Sequence, residues 1–400
     1  MGAVSASFGP TIAQPQESTT QTLWLRNRQW DLAFLSLSVI LVPLPYILYL
    51  IARDALGVEA DVARNAINGF VAIAVGGPHM MSTFMRTSMD KEFRGRYPML
   101  IRSSIIIPIV VVALAFLNLN LLLTIFFFWA SLHVLHQITY VVELYNHKER
   151  HFVRPKMHVS RTNDLIDLAV IFTCLFPFAA LKISQGAFAV GTNDLTQAIP
   201  EFFQRDWFFY FMSAVFGIAA ILWIIKSVRQ VANGTANWPR MIFIILTVAI
   251  AFVIPSLPNL DTAFQGLNVW HSFQYLALTF FIIELRRRTG KLEKSAPLVN
   301  QFGQKGSRGL FILSSLMLVG SILVFMGVYL IAPIIEPGIS ANKHFDVAYY
   351  TAILSFLWIH YYHDHFLFFN FEALDTFYKP SSSGAPSSGV PSAAATSSAD

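Results

Sequence analysis

The sequence predicts an all-α integral membrane protein, a polytopic helical bundle of about ten transmembrane helices with both termini in the cytoplasm. Three observations support this prediction. Hydrophobic residues make up 55% of the 400 residues and charged residues only 13%, about half the charged content of a typical soluble domain. Apolar runs of about 20 residues, the length that crosses a bilayer, recur along the chain. Lys and Arg residues concentrate in alternate loops between these runs, as the positive-inside rule expects.

Ten apolar runs make up the predicted transmembrane domain, residues 23–379. In order they are Asp31–Ala52, Ala66–Ser88, Leu100–Leu117, a run from the short turn 118–120 to Tyr145, Asp164–Ile183, Trp207–Lys226, Trp238–Ser256, Asp261–Leu285, Leu310–Ile331 and Phe345–Phe371. Two of them begin at tryptophan, which is enriched at membrane–water interfaces. Residues 1–22 and 380–400 are small and polar, and we expect both to be disordered tails.

The loop charges determine the predicted orientation. The loops after runs two, four, six and eight hold five, five, three and seven Lys and Arg residues, against five in the loops after the odd-numbered runs. The termini are therefore expected in the cytoplasm, with the protein in a bacterial inner (cell) membrane. The basic stretches serve this orientation, and no nucleic-acid partner is expected. The single cysteine, Cys174, excludes a disulfide framework and a cysteine-based metal site.

Histidines recur inside four even-numbered runs, which all cross the membrane in the same direction. They are His79 in run two, His133 and His136 in run four, His271 in run eight, and His360 and His363 in run ten. Their depths differ by only a few helical turns, and each pair is spaced i, i+3, which places it on one helical face. Ionisable groups within a membrane are functional candidates by default, and neutral imidazole binds iron, copper and zinc. The pattern predicts a shared metal site, against the alternative of unrelated, hydrogen-bonded histidines at helix interfaces.

Polar residues beside these histidines are candidates to orient them, because a ligating imidazole usually donates its second N–H to such a partner. The candidates are Gln137, Tyr140, Glu143, Gln274, Tyr275 and Asp364. The sequence leaves open the roles of four other histidines, His147, His151, His158 and His365. The first three lie in a basic loop, and the fourth follows the His-rich end of run ten.

Three motifs resemble the Brp/Blh-type membrane β-carotene 15,15′-dioxygenases. They are Gly77-Pro78-His79, Trp270-His271-Ser272 and the late His-rich helix around His360. The resemblance implies that one non-haem iron is held by His79, His136 (or His133), His271 and His360 (or His363), and that a polyene is cleaved to retinal. This chain is longer than that family's, doubles the histidines in runs four and ten, and has His360-Tyr361-Tyr362-His363 where the family has a Pro-His motif.

The sequence therefore predicts an iron-dependent oxygenase that acts on a small hydrophobic substrate, such as a carotenoid or another lipid. Two alternatives remain open at this stage. Histidines on different helices also ligate haem b in electron-transfer proteins, and intramembrane histidines also line proton or metal paths in transporters, where a broken second run would form the gate. Membrane lipid is the expected surrounding partner, and an electron donor or other membrane subunits remain open.

Overall fold

The structure is a computed structural model that describes residues 22–155, 160–190, 193–257, 260–338, 341–372, 375 and 378. Almost all of both predicted tails, and His158, lie outside the described residues. The all-α prediction is confirmed. Besides helices and turns, the described residues contain only one antiparallel pair of two-residue strands, Ala189–Val190 and Asn193–Asp194.

Long helical segments, labelled α1 to α10, occupy all ten of the predicted runs. Their bounds are Arg28–Ala55 (α1), 60–86 (α2), Pro98–Leu117 (α3), Leu119–Val153 (α4), Arg161–Ser184 (α5), Asp206–Ala232 (α6), Trp238–Ser256 (α7), Leu260–Arg288 (α8), Gly306–Ile335 (α9) and Ala341–Leu367 (α10). Short helices at Lys91–Arg96, Lys291–Ser295 and Pro297–Gly303 lie in the connections.

Six of these helices, α1, α3, α4, α5, α6 and α9, are long and apolar enough to cross a membrane, judged over the described part of the chain. The fold is thus compatible with an integral membrane protein. Three of the remaining helices, α2, α8 and α10, carry polar side chains such as Thr83, Gln274 and Asp364 that are completely or almost completely buried. These helices are less apolar because they face one another at the centre of the bundle.

The centre of the bundle is built around α8 and α10. Helix α8 packs against α1, α2, α4 and α7, while α10 packs against α2, α3, α4 and α9. Helices α6 and α9 lie at the periphery, where apolar side chains such as Ile218 and Leu330 are more than half exposed. An apolar exterior around a polar interior is the arrangement expected when lipid surrounds the bundle.

A glycine allows α8 to approach α1 closely. A Cβ atom at Gly266 would lie 1.9 Å from the carbonyl oxygen of Val42, so no other residue fits without a shift of backbone. About two helical turns farther along α8, the Gln274 side-chain amide donates to the Leu35 carbonyl of α1 at 2.5 Å. These contacts determine the position of the α8 segment that carries His271.

Helix α2 remains helical through Gly76, Gly77 and Pro78, where the sequence suggested a break. Residues Ala72–Gly76 form a wider π-helical turn, and the Gly77 N–H donates to the Ala72 carbonyl. Proline has no N–H to donate and disfavours a regular turn before it, and such local widening is common at functional sites. His79 follows directly after this turn and is completely buried.

Both described ends of the chain lie at the same end of the bundle. The Asp31 carboxylate accepts hydrogen bonds from the Leu25 N–H at 2.6 Å and from the Tyr145 hydroxyl at 2.9 Å, which holds the segment before α1 against α4. The Tyr378 hydroxyl in turn donates to the Leu25 carbonyl. The amino-terminal and carboxyl-terminal segments therefore meet at one end of the bundle.

Candidate metal centre

Four histidines from four helices meet in the interior of the bundle. His79 (α2), His133 (α4), His271 (α8) and His360 (α10) each offer a ring nitrogen, and these four atoms all lie within 4.8 Å of one another. Each residue is at most 4% exposed. The four helices are the four even-numbered runs in which the sequence located histidines.

The imidazole rings form a closed quartet, which we call the His quartet. Neighbouring ring centroids are 4.7 Å apart for His79 and His271, 5.0 Å for His271 and His133, 4.8 Å for His133 and His360, and 4.2 Å for His360 and His79. Neighbouring rings meet edge-on, at angles between 70° and 78°. The rings therefore surround a common point instead of stacking on one another.

Every ring of the His quartet has at least one buried nitrogen that lacks a hydrogen-bond partner among the described residues. Both ring nitrogens of His79 and His271, and the Nε2 atoms of His133 and His360, are buried and unpaired. Buried polar atoms are almost always paired, because an unpaired one retains its desolvation cost. A bound cation would supply the missing partner to all four rings at once.

The spacing of these atoms suits a single metal ion. Metal–nitrogen bonds of about 2 Å place ligand atoms up to about 4 Å apart across one ion, and the observed limit is 4.8 Å. Small shifts of the histidine side chains would bring the four nitrogen atoms from this separation to the distance that one ion requires. The donor set is made of imidazoles alone, which is typical of sites for iron, copper or zinc. The His quartet could hold a metal ion, and its geometry alone does not select the element.

A buried network of oxygen atoms orients one member of the quartet. The Thr83 hydroxyl donates to Asp364 Oδ1 at 2.7 Å, and the Tyr275 hydroxyl donates to the same oxygen at 2.6 Å. Thr83 Oγ1 also lies 2.6 Å from His360 Nδ1. Since the Thr83 proton is used on Asp364, His360 Nδ1–H must be the donor to Thr83. This tautomer leaves Nε2 of His360 free as a ligand.

The other rings of the quartet are held by packing and by backbone contacts. Tyr361 stacks on His133, with ring centroids 4.1 Å apart. The Gln137 side-chain amide donates to the His271 carbonyl at 3.0 Å and approaches the Gln274 oxygen at 3.4 Å. The sequence named Gln137, Gln274, Tyr275 and Asp364 as orienting residues. All four lie beside the quartet, although the two glutamines act on backbone instead of on imidazole.

Two of the six candidate histidines lie outside the quartet. His136 is half-buried on another face of α4, where its ring lies 5.0 Å from Phe368 and 5.4 Å from His365, centroid to centroid. His363 is buried, but both of its nitrogens are engaged, Nδ1 with the Thr87 hydroxyl at 3.0 Å and Nε2 with the Ser104 hydroxyl at 2.8 Å. Each i, i+3 pair therefore contributes only one ring, because a spacing of three residues still rotates the second ring away from the common point.

Two candidate orienting residues also lie away from the quartet. The Tyr140 hydroxyl donates to the Asn370 carbonyl at 3.1 Å, and Glu143 accepts a bond from Asn146 at 3.3 Å. Both follow His133 by two or more helical turns toward the end of α4. His147 lies farther along the same helix and contacts Asp375 at 2.5 Å.

Sequence reasoning missed Thr83, which is the central hydroxyl of the oxygen network. It lies four residues after His79 and hence on the same face of α2, a signal that was present in the sequence. Threonine is common in transmembrane helices, where its hydroxyl often bonds to its own helix. Only its tertiary contacts to His360 and Asp364 distinguish Thr83 from a threonine whose hydroxyl bonds to its own helix.

Replacing Thr83 with valine is expected to weaken binding of a divalent metal about 10–100-fold, the range for loss of a residue that orients a ligand. The methyl group that replaces Oγ1 can no longer accept the His360 Nδ1–H. Equilibrium metal titration of the purified protein measures the effect, and Thr83→Ser should restore most of the affinity.

The matched control for this change is Thr351→Val. Thr351 is fully buried on α10, and its hydroxyl has no partner among the described residues. Equal metal affinity in Thr83→Val and Thr351→Val would contradict a positioning role for Thr83.

Comparisons with known proteins identify no relative of this chain. No family model, no curated protein and no solved structure matches this chain.

Proposed function

We propose that the protein is a membrane-bound oxygenase in which His79, His133, His271 and His360 hold one non-haem iron, and that it acts on a hydrophobic substrate such as a carotenoid or another lipid. The observation that carries the proposal is the His quartet, with a buried, unpaired nitrogen on every ring. Iron bound there would supply the redox chemistry that activates O₂. The resemblance of the Gly77-Pro78-His79 motif to the carotene dioxygenases also supports this choice of metal.

The quartet geometry favours a bare ion over haem b. A haem site places two histidines on opposite faces of a flat macrocycle, so that the macrocycle separates them. Here every ring is in edge-on contact with two others at centroid distances of 4.2–5.0 Å. No slot for a porphyrin is present between these rings.

The transporter alternative gains no support from α2. That proposal needed a broken helix as a gate, and α2 is helical on both sides of Pro78. The four histidines of the quartet are also at most 4% exposed. An enclosed centre suits catalysis, because excluding water protects reactive species from side reactions.

A narrow cleft of about 50 Å³ lies beside the quartet, and its largely apolar wall suits part of a hydrophobic substrate. It is formed by the same four helices, and Gly76, Asn268 and Leu357 in its wall each precede a quartet histidine by three residues. One helical turn therefore separates the cleft from the metal centre. The wall is largely aromatic and aliphatic, and includes Phe126, Phe127, Phe264, Tyr349, Tyr350, Ile353 and Leu354. The oxygen network of Thr83 and Asp364 lies toward the other end of the helices.

The membrane topology is part of the proposal. All ten helices would cross the bilayer of a bacterial inner membrane, with both termini in the cytoplasm, and the exposed apolar faces of α6 and α9 would contact lipid. The contact between the two described ends of the chain, at Tyr378 and Leu25, supports an even number of crossings. The buried polar faces of α2, α8 and α10 explain why these helices are less apolar than the other crossings.

Purified protein tests the function directly. We expect stoichiometric iron by elemental analysis, an optical spectrum without a Soret band, and O₂ consumption that depends on an added apolar probe, with β-carotene and oleic acid as the two probes. Zinc in place of iron, a Soret band, or no O₂ consumption with either probe would contradict the proposal.

Replacing Leu357 with tryptophan is expected to raise the KM for the productive probe about tenfold, because the larger side chain fills the cleft and a tight site does not repack without strain. The iron content should not change, since residue 357 is not a ligand. Leu330→Trp, at a side chain 65% exposed on α9, is the matched control and should leave KM unchanged. Loss of iron in the Leu357 variant would show that the cleft and the metal centre are not separable.

A further inference from the structure

A second buried polar cluster lies among α4, α5, α6 and α7, away from the His quartet. Lys226 donates to Asp167, Arg240 Nε lies 3.6 Å from Asp167 Oδ2, and Arg240 Nη1 lies 3.8 Å from Glu149 Oε2. These four residues are each at most 6% exposed. Asn237 donates to Glu149 at 2.8 Å and completes the cluster.

A cavity of about 570 Å³ opens beside this cluster. That volume lies within the range of small-molecule sites. Ten polar or charged residues and three aliphatic residues form its wall: Glu149, Ser160, Thr162, Asn163, Ile166, Leu222, Ile225, Lys226, Arg229, Gln230, Asn233, Thr235 and Arg240. Three cationic side chains and only one carboxylate line it, so the cavity favours an anion.

Two helix amino termini also face the cavity. Thr162 and Asn163 belong to the first turn of α5, and Arg240 belongs to the first turn of α7. The amino-terminal end of a long helix carries a partial positive charge and unpaired N–H groups, which favour bound anions. This contribution adds to that of the basic side chains.

The charges around the cluster leave a positive excess. Five cationic side chains, Arg150, Arg154, Lys226, Arg229 and Arg240, face four carboxylates, Glu143, Glu149, Asp164 and Asp167. Arg229 is exposed on the cavity wall, and no ion-pair partner for it is present among the described residues. Arg240 is almost fully buried, and its Nε lies 3.6 Å from Asp167 Oδ2, beyond hydrogen-bond distance, with no other acceptor in reach among the described residues. One more negative charge would balance the cluster.

We infer that this cavity binds a singly charged phosphate group, either the phosphodiester of an anionic phospholipid headgroup or free inorganic phosphate. Arginine is suited to the ligand because its planar guanidinium matches phosphate oxygens in bidentate contacts. The cavity lies at the end of the bundle where α6 ends and α5 and α7 begin, which is the level expected for lipid headgroups. The inference does not depend on the proposed oxygenase activity.

Equilibrium binding to the full-length protein in neutral detergent tests this inference. The probes are dioctanoyl phosphatidylglycerol, inorganic phosphate, and dioctanoyl phosphatidylcholine as the zwitterionic comparison, each followed by the rise in thermal unfolding temperature with ligand concentration. We expect saturable binding of at least one of the first two, and at least about fivefold weaker binding of phosphatidylcholine. Saturation by phosphatidylglycerol alone identifies a lipid headgroup, and saturation by inorganic phosphate identifies a free-anion site.

The variant Arg229→Gln should weaken that binding about tenfold, the loss of one charged contact, and Arg229→Lys should retain more of it. Arg229 is exposed, so neither change disturbs the buried cluster. Arg308→Gln removes an exposed arginine in the first turn of α9 and is the matched control. The inference is overturned if neither phosphatidylglycerol nor inorganic phosphate shows saturable binding, or if phosphatidylcholine binds as tightly as phosphatidylglycerol. It is also overturned if the Arg229→Gln variant binds the probe as tightly as the Arg308→Gln variant.

Discussion

Replacing His271 with alanine is expected to abolish the metal binding that we propose for the His quartet. The ring supplies one of four nitrogen atoms that lie within 4.8 Å of one another, and methyl provides no substitute ligand. His360→Ala should have the same effect. In both variants the loss of metal affinity should exceed the roughly 10–100-fold loss caused by removing a residue that only orients a ligand. Elemental analysis after dialysis against the metal measures the outcome.

The control for these variants is His136→Ala. His136 is half-buried and contacts aromatic rings and His365, outside the quartet. The His136→Ala variant should therefore retain its full metal content, whereas the His133→Ala variant should not. This comparison also decides between the two α4 histidines that the family resemblance leaves open. Full metal content in both the His271 and His360 variants would refute the quartet as the binding site.

Replacing Gly266 with alanine is expected to destabilise the protein by about 3 kcal/mol or more, at the upper end of the cost of overpacking. The added methyl would lie 1.9 Å from the Val42 carbonyl oxygen, and α1 and α8 must separate to admit it. His271 is five residues farther along α8, so the separation should also displace one ligand. Thermal unfolding measures the first effect, and metal titration the second.

Gly217→Ala is the matched control for this change. Gly217 lies within α6, and a Cβ atom there would meet no heavy atom within 4 Å. Alanine stabilises a helix relative to glycine by about 0.5–1 kcal/mol, so this variant should be neutral or slightly more stable. A Gly266 variant as stable as the Gly217 variant, with full metal content, would mean that α1 and α8 are farther apart than described.

The candidate metal centre was partly predictable from residue type and spacing. His79 and His271 are single histidines in their helices, and both are in the quartet. The pairs on α4 and α10 were ambiguous, because either member of an i, i+3 pair faces roughly the same direction. Helix rotation decided the choice. His133 points into the centre, whereas both ring nitrogens of His363 lie within hydrogen-bond distance of the Thr87 and Ser104 hydroxyls instead.

The sequence by itself determined the helices and the four that carry histidine, because apolar length and loop charge are local properties of the chain. It also located Tyr275 and Asp364 near those histidines. Only the tertiary structure decided which rings meet, that Thr83 links His360 to Asp364, and that Gly266 allows α8 to reach α1. These facts depend on the rotation and separation of helices that are distant in sequence, and side-chain packing, which no single helix encodes, sets both quantities.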